Sequence, residues 1–385
     1  MKFTIEQQTL VDPLRKLAST APDVASLNAS VSGTDAVNAV ASILIEPDEN
    51  GVRFTATDNT LRLAFHIPVE GEDLKPCTVP ASTLLHICSR FPADAQIDFE
   101  LEEDGKAMKL QHGRSRYKLV VVDADEFPGI TSQDDEYELS MPEGALRALL
   151  SSVRYAMAQN DMRYYLLGVL LDVSPDAVTA VATDGHRMAV AEHTMQTGVK
   201  EPVQLIVPSK GAEELIKILT EQEQDVVLHL AGNHLKLDLS GDRCAFHTML
   251  VDGKYPDYRT VVPAERKLQA EVGREALIKA AERIIPVTDE LTQAVILTFK
   301  EGENLEVGAK NNKGDVGEEL IEMALSREDG AEEEVKISIN IKYLIDALQS
   351  LTSTGAVLGV NDGSSSMLIV PSEGNSKHII MPMKA

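Results

Sequence analysis

The residues best placed for acid–base chemistry are Asp184-Gly185-His186, a carboxylate and an imidazole two positions apart. Such a pair can move a proton only if a nucleophile or an activated water sits beside it. Nothing nearby supplies a nucleophile, and the same spacing occurs in many non-catalytic turns. The nine histidines show no HExxH or other metal-ligand spacing. The chain has no phosphate-binding Walker loop, no GxGxxG and no nucleophile elbow. It therefore reads as a non-catalytic protein with no metal or cofactor.

The basic residues form a second pattern. Arg147 and Arg154 stand seven apart, as do Lys210 and Lys217, while Lys279 and Arg283 stand four apart. Both spacings bring side chains to one helix face. Arg15, Lys16, Arg90 and Lys342 add a positive group to the remaining helices. On one helix, such residues are ordinary solvated charge. Recurrence on six helices points to an electropositive lining if the helices face one another around a hole. Acidic runs occupy the expected turns instead: 46–49, 70–73, 100–104 and 328–334. The overall charge of −25 (36 basic, 61 acidic residues) argues against a uniformly basic nucleic-acid binder. It does not argue against a protein whose positive charge is localised.

The elements carrying these residues recur three times. Asp125-Glu126-Phe127-Pro128 returns as Gly253-Lys254-Tyr255-Pro256, 128 residues on, and Met381-Pro382-Met383 follows after 126. Thr55-Ala56-Thr57-Asp58 is echoed by Val181-Ala182-Thr183-Asp184 at 126, and Val79-Pro80-Ala81-Ser82 by Val207-Pro208-Ser209-Lys210 at 128. Asn340-Ile341-Lys342 opens the corresponding third helix. Three domains are expected, at 1–134, 135–266 and 267–385, with linkers at Gln133-Asp134-Asp135-Glu136 and Pro263-Ala264-Glu265-Arg266. Each begins with a short strand and a helix: Leu10 to Ala18, Glu143 to Met157, and Arg274 to Ile285. Strands follow, then a second helix: Ser82 to Phe91, Gly211 to Gln222, and Ile341 to Leu351, with more strands after it. Leu146, Leu149, Leu150 and Val153 give the first helix of the middle domain an apolar face. Val52, Phe54 and Ala56, alternating with Arg53, Thr55 and Thr57, read as a half-buried strand. The fold class is α+β, antiparallel sheets on one side of each domain and two helices on the other.

At 385 residues and 43% apolar, the chain can bury several cores, built on aliphatic side chains because only 4% is aromatic. The opening Met1-Lys2-Phe3-Thr4-Ile5-Glu6-Gln7-Gln8 has no apolar run that could act as a signal peptide. No stretch has the roughly 20 apolar residues of a membrane span. Cys77, Cys88 and Cys244 have neither CxxC spacing nor an even count. A reducing cytoplasm is expected, with no membrane partner.

Several segments together resemble the bacterial DNA polymerase III beta sliding clamp family. They are Asp161-Met162-Arg163-Tyr164-Tyr165-Leu166-Leu167-Gly168, Val181-Ala182-Thr183-Asp184-Gly185-His186-Arg187-Met188-Ala189-Val190 and Ile206-Val207-Pro208-Ser209-Lys210-Gly211. Leu250-Val251-Asp252-Gly253-Lys254-Tyr255-Pro256-Asp257-Tyr258-Arg259, Met381-Pro382-Met383, Gly113-Arg114-Ser115-Arg116-Tyr117 and Met1-Lys2-Phe3-Thr4 complete the set. The likeness runs end to end, in family order.

The resemblance implies a processivity factor: a head-to-tail homodimer of three-domain chains closed into a ring around double-stranded DNA, helices inward and sheets outward. Its partners would be DNA, without sequence preference, a DNA polymerase catalytic subunit, the clamp loader and repair proteins. By position, Tyr117 and Leu119 would meet Ile285 and Val287 of the partner subunit. A cleft for partner peptides is implied at Leu166, Thr183, Gly185, His186, Arg187, Met188, Pro256, Val261, Ser366, Ile379, Met381, Pro382 and Met383. DNA contacts are implied at Gln159, Asn160, Arg163, Tyr164 and Lys210. The chain departs from the family at 22–30, where a polar stretch replaces an arginine and an apolar segment. It departs again at Thr260, where arginine is common, and at Lys384-Ala385 in place of Arg-Leu. A divergent relative that serves as an interaction scaffold without encircling DNA is the alternative.

Overall fold

A computed structural model describes residues 1–22, 39–129, 137–239 and 244–383. The linker at 133–136, the polar stretch from 23 to 30, and Lys384-Ala385 lie outside the described residues. One order of elements occurs three times: strand, helix, several strands, helix, three strands. Among the described residues, the helices that recur in this order are α1 (Gln7–Thr20), α2 (Ala81–Cys88), α3 (Glu143–Val153), α4 (Ser209–Ile218), α5 (Arg274–Ile284) and α6 (Ile341–Ser350).

Helix ends depart from the sequence reading for identifiable reasons. Helix α1 starts three residues early because Gln7 N–H and Gln8 N–H donate to the carbonyls of Ala95 and Ala93, at 2.9 and 3.1 Å. Beyond α3 the backbone tightens into a 3₁₀ turn, Arg154–Ala156, so the α-helix stops short of Met157. Pro286 converts the end of α5 into the 3₁₀ turn Ile285–Val287. Helix α2 ends at Cys88 rather than Phe91, and α4 at Ile218, where Leu219 N–H closes onto the Leu215 carbonyl at 2.9 Å. Asn340 caps α6, its Oδ1 accepting from Lys342 N–H and Tyr343 N–H at 2.9 and 3.4 Å.

Contacts divide the chain into two compact units, Met1–Gly144 with Glu213–Leu250, and Ala145–Ala212 with Val251–Ala385. Each unit takes part of the middle repeat because sheets run across repeat boundaries. In the first, an antiparallel eight-stranded sheet joins Cys244–Met249 of the middle repeat to Leu61–Pro68 of the first, with Phe246 opposite Leu63. In the second, a nine-stranded sheet joins Arg187–Thr194 to the third repeat's Ser376–Ile380, with Met188 opposite Ile379. The strand Gly51–Thr57 is more buried than its alternation suggests: Thr55 and Thr57 are interior, and only Arg53 is exposed. The Thr57 hydroxyl tolerates this by donating to the Leu61 carbonyl at 2.8 Å.

Each unit also has a smaller sheet with an edge strand open on one side. In the first it is Ser115–Val120, at the end of a five-stranded sheet, with Tyr117 and Val120 exposed. In the second it is Val316–Ile321, at the end of a four-stranded sheet, with Val316 and Leu320 exposed. Apolar side chains on an unpaired edge favour strand addition from another chain.

Candidate functional site

The nine-stranded sheet builds the site from a tight turn and a chain end. Strand Ala177–Thr183 reverses through Asp184, Gly185 and His186 into strand Arg187–Thr194. Asp184 Oδ1 accepts from the N–H groups of His186 and Arg187 at 2.8 and 3.0 Å. Thr183 Oγ1 accepts from Gly185 N–H and donates to the Arg187 carbonyl. Gly185 takes φ +89°, a conformation that L side chains rarely adopt. The Asp184 carboxylate is thus committed to holding the turn, and His186 is exposed.

Arg187 fixes the turn from behind. Its Nε donates to Asp184 Oδ2 at 3.0 Å and its Nη1 to Asp346 Oδ2 on α6. Its guanidinium lies 5.2 Å from the Tyr155 ring and 4.5 Å from the Tyr343 ring. Two carboxylates and two π faces leave the side chain 14% exposed, so Arg187 is a brace more than a free binding group. Sequence reading had no means of finding Tyr155, Tyr343 or Asp346, because the fold alone brings them to residue 187.

The C-terminal strand Ser376–Ile380 pairs along Arg187–Thr194 and then leaves the sheet. Met381 N–H donates to the His186 carbonyl at 2.9 Å, and Met383 N–H to the Ser338 carbonyl at 2.7 Å. Of the expected cleft residues, Leu166, Met188 and Ile379 are buried in one apolar cluster with Tyr255 and Tyr258, and Val261 and Met381 pack half-buried against it. Pro256 is exposed beside Tyr255, and Ser366 is half-buried at the start of strand Met367–Pro371. Pro382 and Met383 instead line a neighbouring pocket with Ile296, Lys336, Ser338, Gly363 and Ser364. The residues expected to form one cleft thus divide between an apolar cluster and a second pocket.

The residues expected to touch DNA divide as well. Gln159, Asn160 and Tyr164 are exposed, Asn160 with φ +55° and Tyr164 edge-on to Tyr165. Lys210 lies in the first turn of α4, half-buried. Arg163 is already engaged. It grips Asp161 through Nε at 3.0 Å and Nη2 at 2.7 Å, and Nη2 also reaches the Asp184 carbonyl at 3.0 Å. Hydrogen bonds from Arg163 pull the Asp161 carboxyl down to about 2. The structure therefore brings Arg163 to the turn at Gly185.

Among the expected dimer residues, Tyr117 is exposed and packs edge-on to Phe91, whereas Leu119 is buried in its own subunit. Ile285 and Val287 pack half-buried against the core of their domain. The apolar groups most available on the sheet edges are Val120, Val316 and Leu320, which sequence reading missed because nothing in the sequence marks a strand as an edge.

Several helical cations are locally neutralised: Lys16 by Asp12, Lys217 by Glu214, Lys279 by Glu275 and Arg283 by Glu319. The helix faces are correspondingly less positive than a count of Lys and Arg suggests. Among the described residues, no group of three or more His, Cys, Asp or Glu is placed to hold a metal ion. No helix among them is long and apolar enough to cross a membrane.

Comparison with known proteins agrees with this architecture along the whole chain. Residues 1–131 match the N-terminal domain of the DNA polymerase III beta subunit, 140–257 its central domain and 259–384 its C-terminal domain. The beta sliding clamp of Vibrio cholerae is 31% identical and that of Escherichia coli 30%, each with full coverage of both chains. Among solved structures, the DNA polymerase III subunit beta of Pseudomonas aeruginosa superposes with a TM-score of 0.88 at 29% identity and full coverage of both chains. A Pseudomonas aeruginosa sliding clamp bound to griselimycin reaches 0.90, also at 29% identity and full coverage of both chains. With its three repeats matched in order to three consecutive family domains, the chain belongs to the DNA polymerase III beta subunit family.

Proposed function

We propose that this chain is a sliding clamp, a non-catalytic processivity factor that works as a ring of two copies around duplex DNA in the bacterial cytoplasm. The observation that carries the reading is the threefold repeat combined with one open apolar edge in each unit. In a head-to-tail pair, Ser115–Val120 of each copy would extend the sheet at Val316–Ile321 of the other. Such a heterologous contact closes into a ring when the rotation between copies returns to the start. Tyr117 and Val120 would be covered against Val316 and Leu320, with Ile285 and Val287 behind them.

A closed ring holds DNA by topology, so it needs no strong attraction to phosphate. Ion pairing of the helical cations suits that role, since a slippery lining permits movement along the duplex. Gln159, Asn160, Tyr164 and Lys210 would touch the backbone without reading sequence. The alternative of a scaffold that never encircles DNA finds no support in the named relatives, which are sliding clamps.

Polymerase, clamp loader and repair proteins would compete for the cleft. The apolar cluster around Leu166, Met188, Val261 and Met381 would take large apolar side chains of an extended peptide. The flexible thioethers of Met381 and Met383 suit a surface that accepts several related sequences. In this role Arg163 would shape the cleft at Gly185 more than it would touch DNA. The solution mass tests assembly: a closed pair gives twice the 41.9 kDa of the chain, and a monomer at working concentration would contradict the reading.

A further inference from the structure

His378 is wholly buried, yet it is a polar ring in strand Ser376–Ile380, immediately before the cleft residues Ile379 and Met381. Its Nδ1 lies 2.9 Å from Tyr155 Oη and its Nε2 lies 3.0 Å from Ser376 Oγ. The two rings stack with centroids 5.8 Å apart. Tyr155, held at its hydroxyl, offers its ring face to Arg187, which braces Asp184, whose carboxylate in turn fixes the N–H groups of His186 and Arg187. Backbone pairing connects the same elements independently, with His378 opposite Ala189, Ile379 opposite Met188 and Ile380 opposite Arg187.

An aliphatic residue at position 378 and Phe at 155 would fill similar space without burying an imidazole, which is costly unless its nitrogens are satisfied. Here they are satisfied directionally, Nδ1 by Tyr155 and, at 3.5 Å, by Ser350 Oγ on α6, and Nε2 by Ser376 of the same strand. We propose that Tyr155 and His378 are positioning residues of the peptide cleft, setting the turn that carries Gly185 and His186 relative to the strand that carries Ile379 and leads into Met381. They do this without touching the ligand. The proposal rests on the cleft reading given above. Its physical basis is that a binding constellation loses affinity when the groups orienting it are loosened, even if its contact residues are intact.

Griselimycin, the ligand of a similar clamp structure, serves as the probe in calorimetric titrations of the full chain. Tyr155→Phe and His378→Leu should each weaken binding about tenfold while solution mass and circular dichroism stay as in the unmodified chain. His378→Gln, which keeps one donor and one acceptor, should restore most of the affinity. If the unmodified chain fails to bind griselimycin, the cleft reading falls and this proposal with it. If the unmodified chain binds and both variants bind equally well, only the positioning role is overturned. Should the variants misfold, histidine-selective NMR of the unmodified chain decides the matter. The His378 ring signals should shift on saturation with griselimycin, and unmoved signals would overturn the proposal.

Discussion

Acidification puts a proton on His378 against the packing that surrounds it. Burial pushes this imidazole down from 6.5 to about 4. In the unfolded chain the ring takes up its proton near 6.5, so between the two values the unfolded state binds more protons than the folded one. Stability is therefore complete above 6.5 and drains away as the pH falls toward 4. The full difference corresponds to about 3 kcal/mol, of which about 2 kcal/mol should be lost by about pH 5. The chain's isoelectric point near 4.7 sets the lower limit of a clean experiment, since precipitation is expected there. Urea unfolding followed by circular dichroism, from about pH 7.5 to about pH 5.2, should be run on the unmodified chain and on His378→Gln. The variant offers a donor and an acceptor but cannot titrate, so its stability should fall less with acid, by about 2 kcal/mol at the lower pH. His247, also pushed down to about 4, titrates equally in both chains and cancels in the difference. Parallel pH profiles for the two chains would refute the claim that His378 is buried as a neutral ring.

Other expectations concern the turn, the helix cap, the chain end and the sheet edges. Gly185→Ala places a Cβ 3.0 Å from the Arg163 guanidinium at φ +89°, so it should cost roughly 1–2 kcal/mol in urea unfolding and weaken griselimycin binding. Asn340→Ala removes the two hydrogen bonds at the start of α6 and should cost about 1 kcal/mol of stability, measured the same way. Truncation after Ile380 removes the residues that meet His186 and Ser338, and should abolish binding of griselimycin and of polymerase while the two copies stay associated. Val120→Asp with Leu320→Asp puts charge on both open edges and should leave a folded 41.9 kDa monomer in sedimentation analysis.

The parts of the fold that depend on short stretches of chain were legible in the sequence. The aromatic-Pro pair and its return 128 residues on, the Thr-Asp echo at 126 and the Pro of Met381-Pro382-Met383 together locate the repeats, and apolar spacing such as Leu146, Leu149 and Leu150 places the helices. The spacing of Asp184 and His186 reads as that of a non-catalytic turn, and the structure shows Thr183, Asp184 and Gly185 supplying that turn's hydrogen bonds and positive φ. Contacts between distant segments were not legible. Tyr155 and His378 are 223 residues apart, and no local pattern connects them. Arg187 read as a binding residue because Asp346 and Tyr343, which occupy it, arrive on another repeat's helix. The helical cations read as a positive lining because an ion pair such as Arg283 with Glu319 depends on which strand packs beside α5. Thr55 and Thr57 read as solvent-facing because alternation cannot show that both faces of a strand are covered.

Two copies that encircle DNA would hold it by closure rather than by attraction. The most direct test of closure loads the chain onto nicked circular duplex DNA, washes at high salt, and then linearises the circle. The ring account predicts that the chain survives the wash on circles and escapes once ends exist. Loss that follows salt concentration alike on circular and linear DNA would mark simple attraction to phosphate and contradict it.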